Sequence, residues 1–249
     1  MTKSTVPTPT SPASKATRFF LVALGIVLLD QIVKLLVKFN MTMGREGEIH
    51  ILGELFKLHF IENPGAAFGT TVDGIFSMVG LEITPYTGKL ILSIFSLIAL
   101  GAIGYVLFRL RDHKSPLPWF VAMIFGGATG NIVDRTFYGV WFSEMNTYEG
   151  GLFHGRVVDM FFIDIWEGIV PNWVPILGGE YYSLWPIWNI ADASISIGIV
   201  VILIFQGKFF KMDEHRTAAT APAAAETPAT EPKAQPEIPS TDTPETSPN

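Results

Sequence analysis

Four long apolar runs dominate this sequence and limit what it can fold into. They cover residues 19–39, 90–108, 117–137 and 184–206, and each is close to the ~20 residues that an α-helix needs to cross a lipid bilayer. The composition agrees, because 49% of the residues are hydrophobic, only 16% are charged and the mean hydropathy is +0.36. The sequence therefore predicts an integral membrane protein, mainly α-helical, with four transmembrane helices.

Basic residues beside these runs predict the orientation of the helices. They precede the first run, link the second to the third and follow the fourth (Lys15 and Arg18; Arg109, Arg111 and Lys114; Lys208, Lys211 and Arg216). Since Lys and Arg concentrate in cytoplasmic loops, both termini should be cytoplasmic. The two long connections, 40–89 and 138–183, should then face outward. In the first of them, "IHILGELFKLHFIEN" partly alternates apolar with polar residues and predicts strands on the membrane surface.

The two ends of the chain differ from the apolar middle. Both are rich in Thr, Pro, Ala and Ser, with too little apolar content to fold. We therefore divide the chain into a disordered cytoplasmic tail at 1–17, a membrane domain at 18–211 and a disordered cytoplasmic tail at 212–249. The first apolar run is not expected to be a cleaved signal peptide, because it is too long, contains Lys34 and Lys38, and lacks a small-residue cleavage site.

Composition also excludes several kinds of site. The chain has no cysteine, so disulfides, thiol nucleophiles and Cys-ligated zinc are ruled out. Its five histidines are scattered without an HExxH pair, so we expect no metal site. Most of the formal net charge of −6 lies in the C-terminal tail, and no basic footprint for nucleic acid is visible.

Polar residues interrupt the apolar runs in short motifs. In "DQIVK", Asp30 and Lys34 are four residues apart and share a helix face, which suits a buried ion pair that orients helices or, as the alternative, a direct catalytic role for Asp30. In "ENPGAAFG", Asn63 and Gly65 permit hydrogen bonding to a peptide and close backbone approach. A plain turn is the equal alternative for that segment.

The third run ends in "GGATGNIVDR". Its Gly126 and Gly130 form a GxxxG pattern, which is typical of tight helix packing. The same pattern does not explain Asn131, Asp134 and Arg135, which gather at the outward end. There Asp134 and Arg135 could pair with each other, while Asn131 faces the bundle.

The fourth run holds "WNIADASIS", whose Asn189, Asp192 and Ser196 are spaced as a polar stripe on one helix face. Counting the helix from Pro186, Asp192 should lie ~9 Å below the outer surface, within reach of water. The outer segment "GRVVDMFFIDIW" supplies Asp159, a second carboxylate that could stand opposite Asp192.

Two carboxylates at a water-accessible membrane surface suggest a chemistry. If they approach closely they cannot both ionise easily, so one keeps a proton while the other takes one from water, as in aspartic proteases. Two alternatives stay open at this point. A proton or ion transporter could use Asp30, Lys34, Asp134 and Asp192 as a relay, and a lipid-binding scaffold would not require both Asp159 and Asp192.

The motifs together resemble those of the lipoprotein signal peptidases (signal peptidase II). The resemblance covers residues 18–207 and includes "DQIVK", "NPGAAFG", "GGATGNIVDR", "GRVVDM" and "WNIADASISIG" in the family's order. It implies four membrane helices, a small outward β-sheet cradle, long extracytoplasmic loops and no metal or cofactor. It also implies a monomeric enzyme of the bacterial inner membrane that, near the outer face, cleaves diacylglyceryl-modified prolipoproteins on the N-terminal side of the lipidated cysteine.

The resemblance also implies roles for individual residues. Asp159 and Asp192 would be the catalytic pair. The substrate would be bound by Asn63, Gly65, Asn131, Arg135 and Asn189, and the site would be held together by Asp30, Lys34 and Asp134.

The sequence departs from the family's usual pattern in places. Met160 replaces the usual Phe after the catalytic aspartate, and Trp188 replaces Phe before Asn189. The spacers 136–156 and 163–185 are longer than the family leads us to expect. The long spacers are expected to reshape the lid over the substrate groove, which affects the expected substrate preference and not the expected chemistry.

Overall fold

The long helices of the described chain lie in the four apolar runs. The computed structural model describes residues 12–65, 71–174, 178–179 and 181–220. Within these residues the helices are α1 (Pro12–Asn40), α2 (Val72–Met78), α3 (Pro85–Arg109), α4 (Leu117–Val133), α5 (Gly139–Trp141) and α6 (Ile190–Thr220). A π-helical turn, Asp134–Tyr138, joins α4 to α5 without a break.

Three helical stretches of the described chain, 16–40, 85–112 and 190–209, are long and apolar enough to cross a membrane. Many of their large side chains are exposed to the surroundings, including Leu21, Ile98 and Leu203, as expected where lipid is the neighbour. The remaining long helix, α4, has 17 residues. The prediction of four spanning helices is thus supported for three, and the crossing by α4 stays a prediction.

Capping residues explain where two of the long helices begin. Thr84 accepts a hydrogen bond from the backbone N–H of Thr87 at 3.1 Å, directly before Pro85 at the start of α3. Asn189 does the same for α6, because its Oδ1 accepts from the N–H of Asp192 at 2.9 Å. The fourth apolar run therefore becomes helical only at Ile190, later than the start near 184–186 that we predicted.

The outer part of the described chain contains a small antiparallel sheet. Strands β1 (Ile49–Leu52), β2 (Phe56–Asn63) and β3 (Val157–Ile163) lie in that order, and β4 (Glu167–Ile169) pairs with β5 (Tyr181–Ser183) in a separate ribbon. The first two strands confirm the predicted strand segment. The third strand comes from the apolar outer segment that contains Asp159, and its register places Asp159 opposite Ile61.

Helix α4 packs between α1 and α6, and glycine makes that approach possible. A Cβ atom on Gly126 would lie 2.8 Å from the carbonyl oxygen of Ala23, and one on Gly127 would lie 2.4 Å from that of Ala191. Both distances are too short for a side chain, so only glycine allows these backbones to come so close. The predicted packing role of the glycines at this point of the sequence agrees with this geometry.

Helices α1 and α6 both extend into segments for which we predicted disorder. Helix α1 begins at Pro12 and α6 ends at Thr220, where Ala-rich sequence with good helix formers continues from each apolar run. The other tail residues, 1–11 and 221–249, lie outside the described residues, as do 66–70 of the "NPGAAFG" motif.

Candidate active site

The two predicted catalytic aspartates meet where strand β3 runs beside the start of α6. Asp159 lies in β3 and is 1% exposed, while Asp192 lies in the first turn of α6. Asn189 connects them: its Nδ2 donates to Asp159 Oδ1 at 2.5 Å, and its Oδ1 accepts from the backbone N–H of Asp192 at 2.9 Å. The sheet and the helix bundle thus bring together two residues that are distant in the sequence.

Asn189 is the N-cap of α6 and not part of a polar stripe on the helix. It lies one residue before the first helical residue, Ile190, and is completely buried. Our expectation that Asn189, Asp192 and Ser196 line one helix face is therefore wrong for Asn189. A capping side chain points back over the first turn, and this direction is what brings its amide to Asp159.

Asn63, at the end of β2, holds the second oxygen of Asp159. Its Nδ2 donates to Asp159 Oδ2 at 3.1 Å, and its Oδ1 accepts from the N–H of Gly65 at 2.8 Å. Gly65 has φ +94°, a left-handed conformation that side chains other than glycine rarely adopt. The described part of the segment therefore turns tightly at Gly65 and orients Asn63 toward Asp159, while hydrogen bonding to a substrate peptide stays a prediction.

Below the two aspartates lies a fully buried ion cluster. Lys34 Nζ is 2.8 Å from Asp30 Oδ2 and 2.8 Å from Asp134 Oδ2, and all three side chains are 0% exposed. The pair predicted from the spacing of Asp30 and Lys34 is present, and Asp134 joins it as a second acid. A Cβ on Gly130 would lie 2.5 Å from Asp30 Oδ2, so this glycine leaves room for the carboxylate.

The two acids of the cluster also bind the backbone next to the candidate catalytic residues. Asp30 Oδ1 accepts from the N–H of Ala191 at 3.0 Å, and Asp134 Oδ2 accepts from the N–H of Val158 at 3.3 Å. Ala191 precedes Asp192 and Val158 precedes Asp159. One lysine therefore connects the two chain segments that carry the candidate dyad.

Asn131 links the ion cluster to Asp192. Its Oδ1 accepts from Lys34 Nζ at 2.9 Å, and its Nδ2 donates to Asp192 Oδ1 at 2.8 Å. Asn131 therefore faces the bundle as predicted.

Asp134 and Arg135 do not pair with each other. Asp134 pairs with Lys34, whereas Arg135 Nη1 donates to Ser96 Oγ at 2.7 Å on α3. Adjacent residues on a helical turn point in different directions, so an i, i+1 pair has poor geometry. The consequence is that Arg135 is turned toward α3 and the neighbourhood of the dyad.

The environment of Asp159 changes its acidity. Burial, followed by the nearby charge of Asp192, raises the pKa of the Asp159 carboxyl from 3.8 to about 7. The hydrogen bonds from Asn63 and Asn189 oppose this rise because they stabilise the carboxylate. Near neutral pH, Asp159 is therefore able to hold a proton beside a second carboxylate.

Sequence reasoning missed three contacts that support the site. Gln31 Nε2 donates to Asp134 Oδ1 at 2.8 Å, and Tyr138 donates its hydroxyl to Gln31 Oε1 at 3.0 Å. Lys38 forms a buried ion pair with Glu62, the residue before Asn63. The spacing of Lys38 one helical turn after Lys34 was the available signal, but the partner on β2 lies in a different element.

A cavity of about 260 Å³ opens beside Gly65, between β2, α3 and the outer loop that precedes β3. Its lining includes Tyr86, Lys89 and Arg156. His154 also lines it, but the ring is buried and stacked on Tyr86 at 3.5 Å between centroids, so it serves packing. Among the described residues, no group of three or more His, Asp or Glu side chains could hold a metal ion.

Comparisons with known proteins identify relatives of this chain. A family model described as signal peptidase (SPase) II matches residues 22–208. A lipoprotein signal peptidase of Porphyromonas gingivalis is 36% identical over 193 residues, which are 72% of this chain and 78% of that protein. One of Amoebophilus asiaticus is 35% identical over 76% of this chain and 78% of its own length. A solved bacterial membrane enzyme is 25% identical, with a TM-score of 0.47 and coverage of 77% of this chain and 88% of the other.

Proposed function

This chain belongs to the signal peptidase II family, and from this premise we propose that it is an aspartic endopeptidase of the membrane. Its substrates are diacylglyceryl-modified prolipoproteins, from which it removes the signal peptide by cleaving on the N-terminal side of the lipidated cysteine. The observation that carries the mechanism is the contact of one amide, that of Asn189, with the Asp159 carboxylate and with the backbone of Asp192.

In the first step, a water molecule lies between the two carboxyl groups. Asp159 holds a proton near neutral pH because its pKa is raised to about 7. Asp192 takes a proton from the water as the water oxygen attacks the carbonyl carbon of the scissile bond, and Asp159 gives its proton to the carbonyl oxygen. The product is a tetrahedral diol, with the proton now on Asp192.

In the second step, the diol breaks down. The carbon–nitrogen bond breaks, the proton on Asp192 passes to the leaving amine of the lipidated cysteine, and one diol hydroxyl returns its proton to Asp159. The dyad is thereby restored, and one water molecule is consumed for each bond cleaved.

The substrate is held by residues around the dyad. We assign this role to Asn63, Gly65, Asn131, Arg135 and Asn189, and a supporting role to Asp30, Lys34 and Asp134. The supporting role rests on the hydrogen bonds from the N–H groups of Ala191 and Val158 to Asp30 and Asp134. The exposed apolar helix faces suit the diacylglyceryl group, since each buried CH₂ contributes ~0.8 kcal/mol.

We further propose that the enzyme acts as a monomer in the bacterial inner membrane, with both termini in the cytoplasm and the dyad near the outer face. The basic residues at the end of the bundle opposite the dyad support this orientation. A reporter fused after Lys211 should therefore signal from the cytoplasm, and one inserted near Asn146 should signal from outside. The reverse pattern would exclude this topology.

The decisive experiment uses purified protein and a synthetic prolipoprotein peptide, with and without the diacylglyceryl group. Cleavage of the lipidated peptide, with product masses that place the cut directly before the cysteine, is the expected result. The unmodified peptide should be turned over poorly, because it lacks the group that retains it at the membrane. Equal turnover of both peptides, or a cut elsewhere, would contradict the proposed specificity.

A further inference from the structure

A polar recess lies at the end of the bundle far from the candidate dyad. It has a volume of about 390 Å³ and is formed by the first part of α1, the link between α3 and α4, and the first turn of α4. The candidate dyad, in contrast, lies beyond the other end of α4 and at the start of α6. The recess is therefore a separate feature that the proposed cleavage does not use.

Three of the eight residues that line the recess are arginine or lysine. Arg18, Arg111 and Lys114 contribute positive charge, against the single carboxylate of Asp112. Asp112 lies 3.5 Å from Arg111 Nε and so offsets the charge of that arginine. Within the described part of the chain, neither Arg18 nor Lys114 forms an ion pair with a carboxylate. Two cations that no carboxylate of the described side chains compensates thus face the same concave space.

Aromatic rings fix the position of one of these cations. The guanidinium carbon of Arg18 lies 4.6 Å from the centre of the Phe19 ring and 5.5 Å from that of Trp119. The two rings meet edge to face at 4.8 Å. Stacking restricts the orientation of the guanidinium group but uses none of its N–H donors. These donors stay available for a group that presents two oxygen atoms side by side, such as a phosphate.

The same rings locate the recess at the membrane boundary. Trp119 is 39% exposed and lies in the first turn of α4, between the cations of the recess and the apolar remainder of the helix. Trp at a helix end is typical of the level of the lipid headgroups. A ligand there meets cations on one side and acyl chains on the other.

We propose that this recess binds the phosphate group of an anionic phospholipid. The phosphate oxygens accept hydrogen bonds from the Arg18 guanidinium and the Lys114 ammonium, and the glycerol and acyl chains lie along Trp119 and the lipid-facing surface of α4. Free inorganic phosphate forms the same ion pairs with the cations, but it has no acyl chains to bury against the apolar surface. The ligand we assign is therefore the lipid, in the leaflet at this end of the bundle.

The test compares two double variants that lose the same charge from the same end of the bundle. Arg18→Gln/Lys114→Gln removes the two recess cations. Arg109→Gln/Lys208→Gln is the matched control, since these two cations also stack on aromatic rings, those of Tyr105 and Phe205, but do not line the recess. The readout is retention of phosphatidylglycerol against phosphatidylcholine by the purified protein, measured by native mass spectrometry.

We expect the recess variant to retain phosphatidylglycerol ~10-fold less well than the parent, and the control variant to change by less than about twofold. All three proteins should cleave substrate at the same rate in pure phosphatidylcholine vesicles. Equal rates show that both variants are folded. If the double recess variant does not fold, Lys114→Gln alone, an exposed substitution, is compared with Lys208→Gln in the same way.

Two outcomes would overturn the proposal. An equal loss of phosphatidylglycerol in both variants would mean that the positive charge at this end of the bundle attracts anionic lipid non-specifically and that the recess is not a binding site. Displacement of the bound lipid by millimolar inorganic phosphate, or equal occupancy by phosphate in the absence of lipid, would mean that the recess is a site for a free anion.

Discussion

The two ends of the helix bundle are held together by different kinds of contact. At one end, buried apolar side chains such as Phe19, Leu107 and Leu117 pack against each other. At the other end, Asp30, Lys34 and Asp134 are equally buried but are joined by ion pairs and by hydrogen bonds to backbone N–H groups. Apolar packing stabilises many nearby arrangements, whereas directional contacts fix atoms, so the chemistry is expected at the charged end.

The largest expected effect is on catalysis at the charged end. Asp159→Asn and Asp192→Asn should each lower the cleavage rate per folded molecule by ~10³-fold or more, because the first removes the proton donor to the carbonyl oxygen and the second removes the base that takes a proton from water. Each single variant should be nearly as inactive as the double, since residues that act as a unit are not additive. The measurement is the cleavage rate of each single variant and of the double variant on a lipidated peptide.

Asp164→Asn is the matched control for that series. Asp164 directly follows β3 and pairs with Lys57 at 2.9 Å, at the far end of the strand from the dyad. It should retain most of the parent's rate. Substantial cleavage by either dyad variant would exclude the proposed mechanism.

The next effect concerns the stability of the charged end. Lys34→Met should lower the free energy of unfolding by ~3–5 kcal/mol, because it leaves two buried carboxylates without their cation. Thermal unfolding in detergent and the yield of folded protein measure the loss. Arg45→Met is the control: Arg45 also pairs with an acid, Glu167, but is 67% exposed, so its loss should cost ~0–1 kcal/mol. Similar losses for both would mean that the buried cluster does not hold this end together.

At the apolar end, a core substitution should lower the stability of the protein without lowering its cleavage rate. Leu107→Ala removes a side chain that is 0% exposed and should cost ~2–4 kcal/mol of stability, while the cleavage rate per folded molecule stays close to that of the parent. Leu203→Ala is the matched control, since Leu203 is 59% exposed on α6 and should cost far less. A large loss of specific activity in Leu107→Ala would contradict the division of roles between the two ends.

The smallest effect is a shift in pH dependence. The dyad needs its proton, so cleavage should fall as the pH rises through about 7, the pKa of Asp159. Asn63→Ala removes a hydrogen bond that stabilises the Asp159 carboxylate and lowers its pKa. The pKa should therefore rise further in the variant, and the alkaline limb of kcat/KM should move to higher pH.

The control for this shift is Asn40→Ala, whose side chain bonds only to its own helix, at Leu36 O. Its alkaline limb should coincide with that of the parent. A limb that moves to lower pH in Asn63→Ala would mean that this amide stabilises the protonated form instead.

The sequence predicts the helices well because apolar runs of this length have few alternatives in a membrane. It also predicts the Asp30–Lys34 pair, since residues four apart share a helix face. It does not predict that Asp134 pairs with Lys34 and not with Arg135, because the choice depends on where α1 lies beside α4. The start of α6 was misplaced for a related reason: the Asn189 cap decides it, and "SLWPIW" is as apolar as the helix that follows.

Strand β3 shows more clearly which features the sequence alone does not predict. The segment around Asp159 was recognised as apolar and outward, but its strand is formed by pairing with β2, about 100 residues earlier in the chain. Such pairing is decided by partners and not by local preference. The contact between Asn63 and Asp159, which follows from that pairing, could therefore be expected only from resemblance.

The hydrogen bond from the N–H of Ala191 to Asp30 joins residues 161 positions apart in the chain, in the first and last long helices. During synthesis α1, α3 and α4 emerge from the ribosome before α6, and with them the sheet that carries Asp159. Until the last helix inserts, the chain contains Lys34 and its acids but neither Asn189 nor Asp192. In the proposed mechanism, a chain that ends before α6 lacks Asp192, so hydrolytic activity begins only after the last helix has inserted.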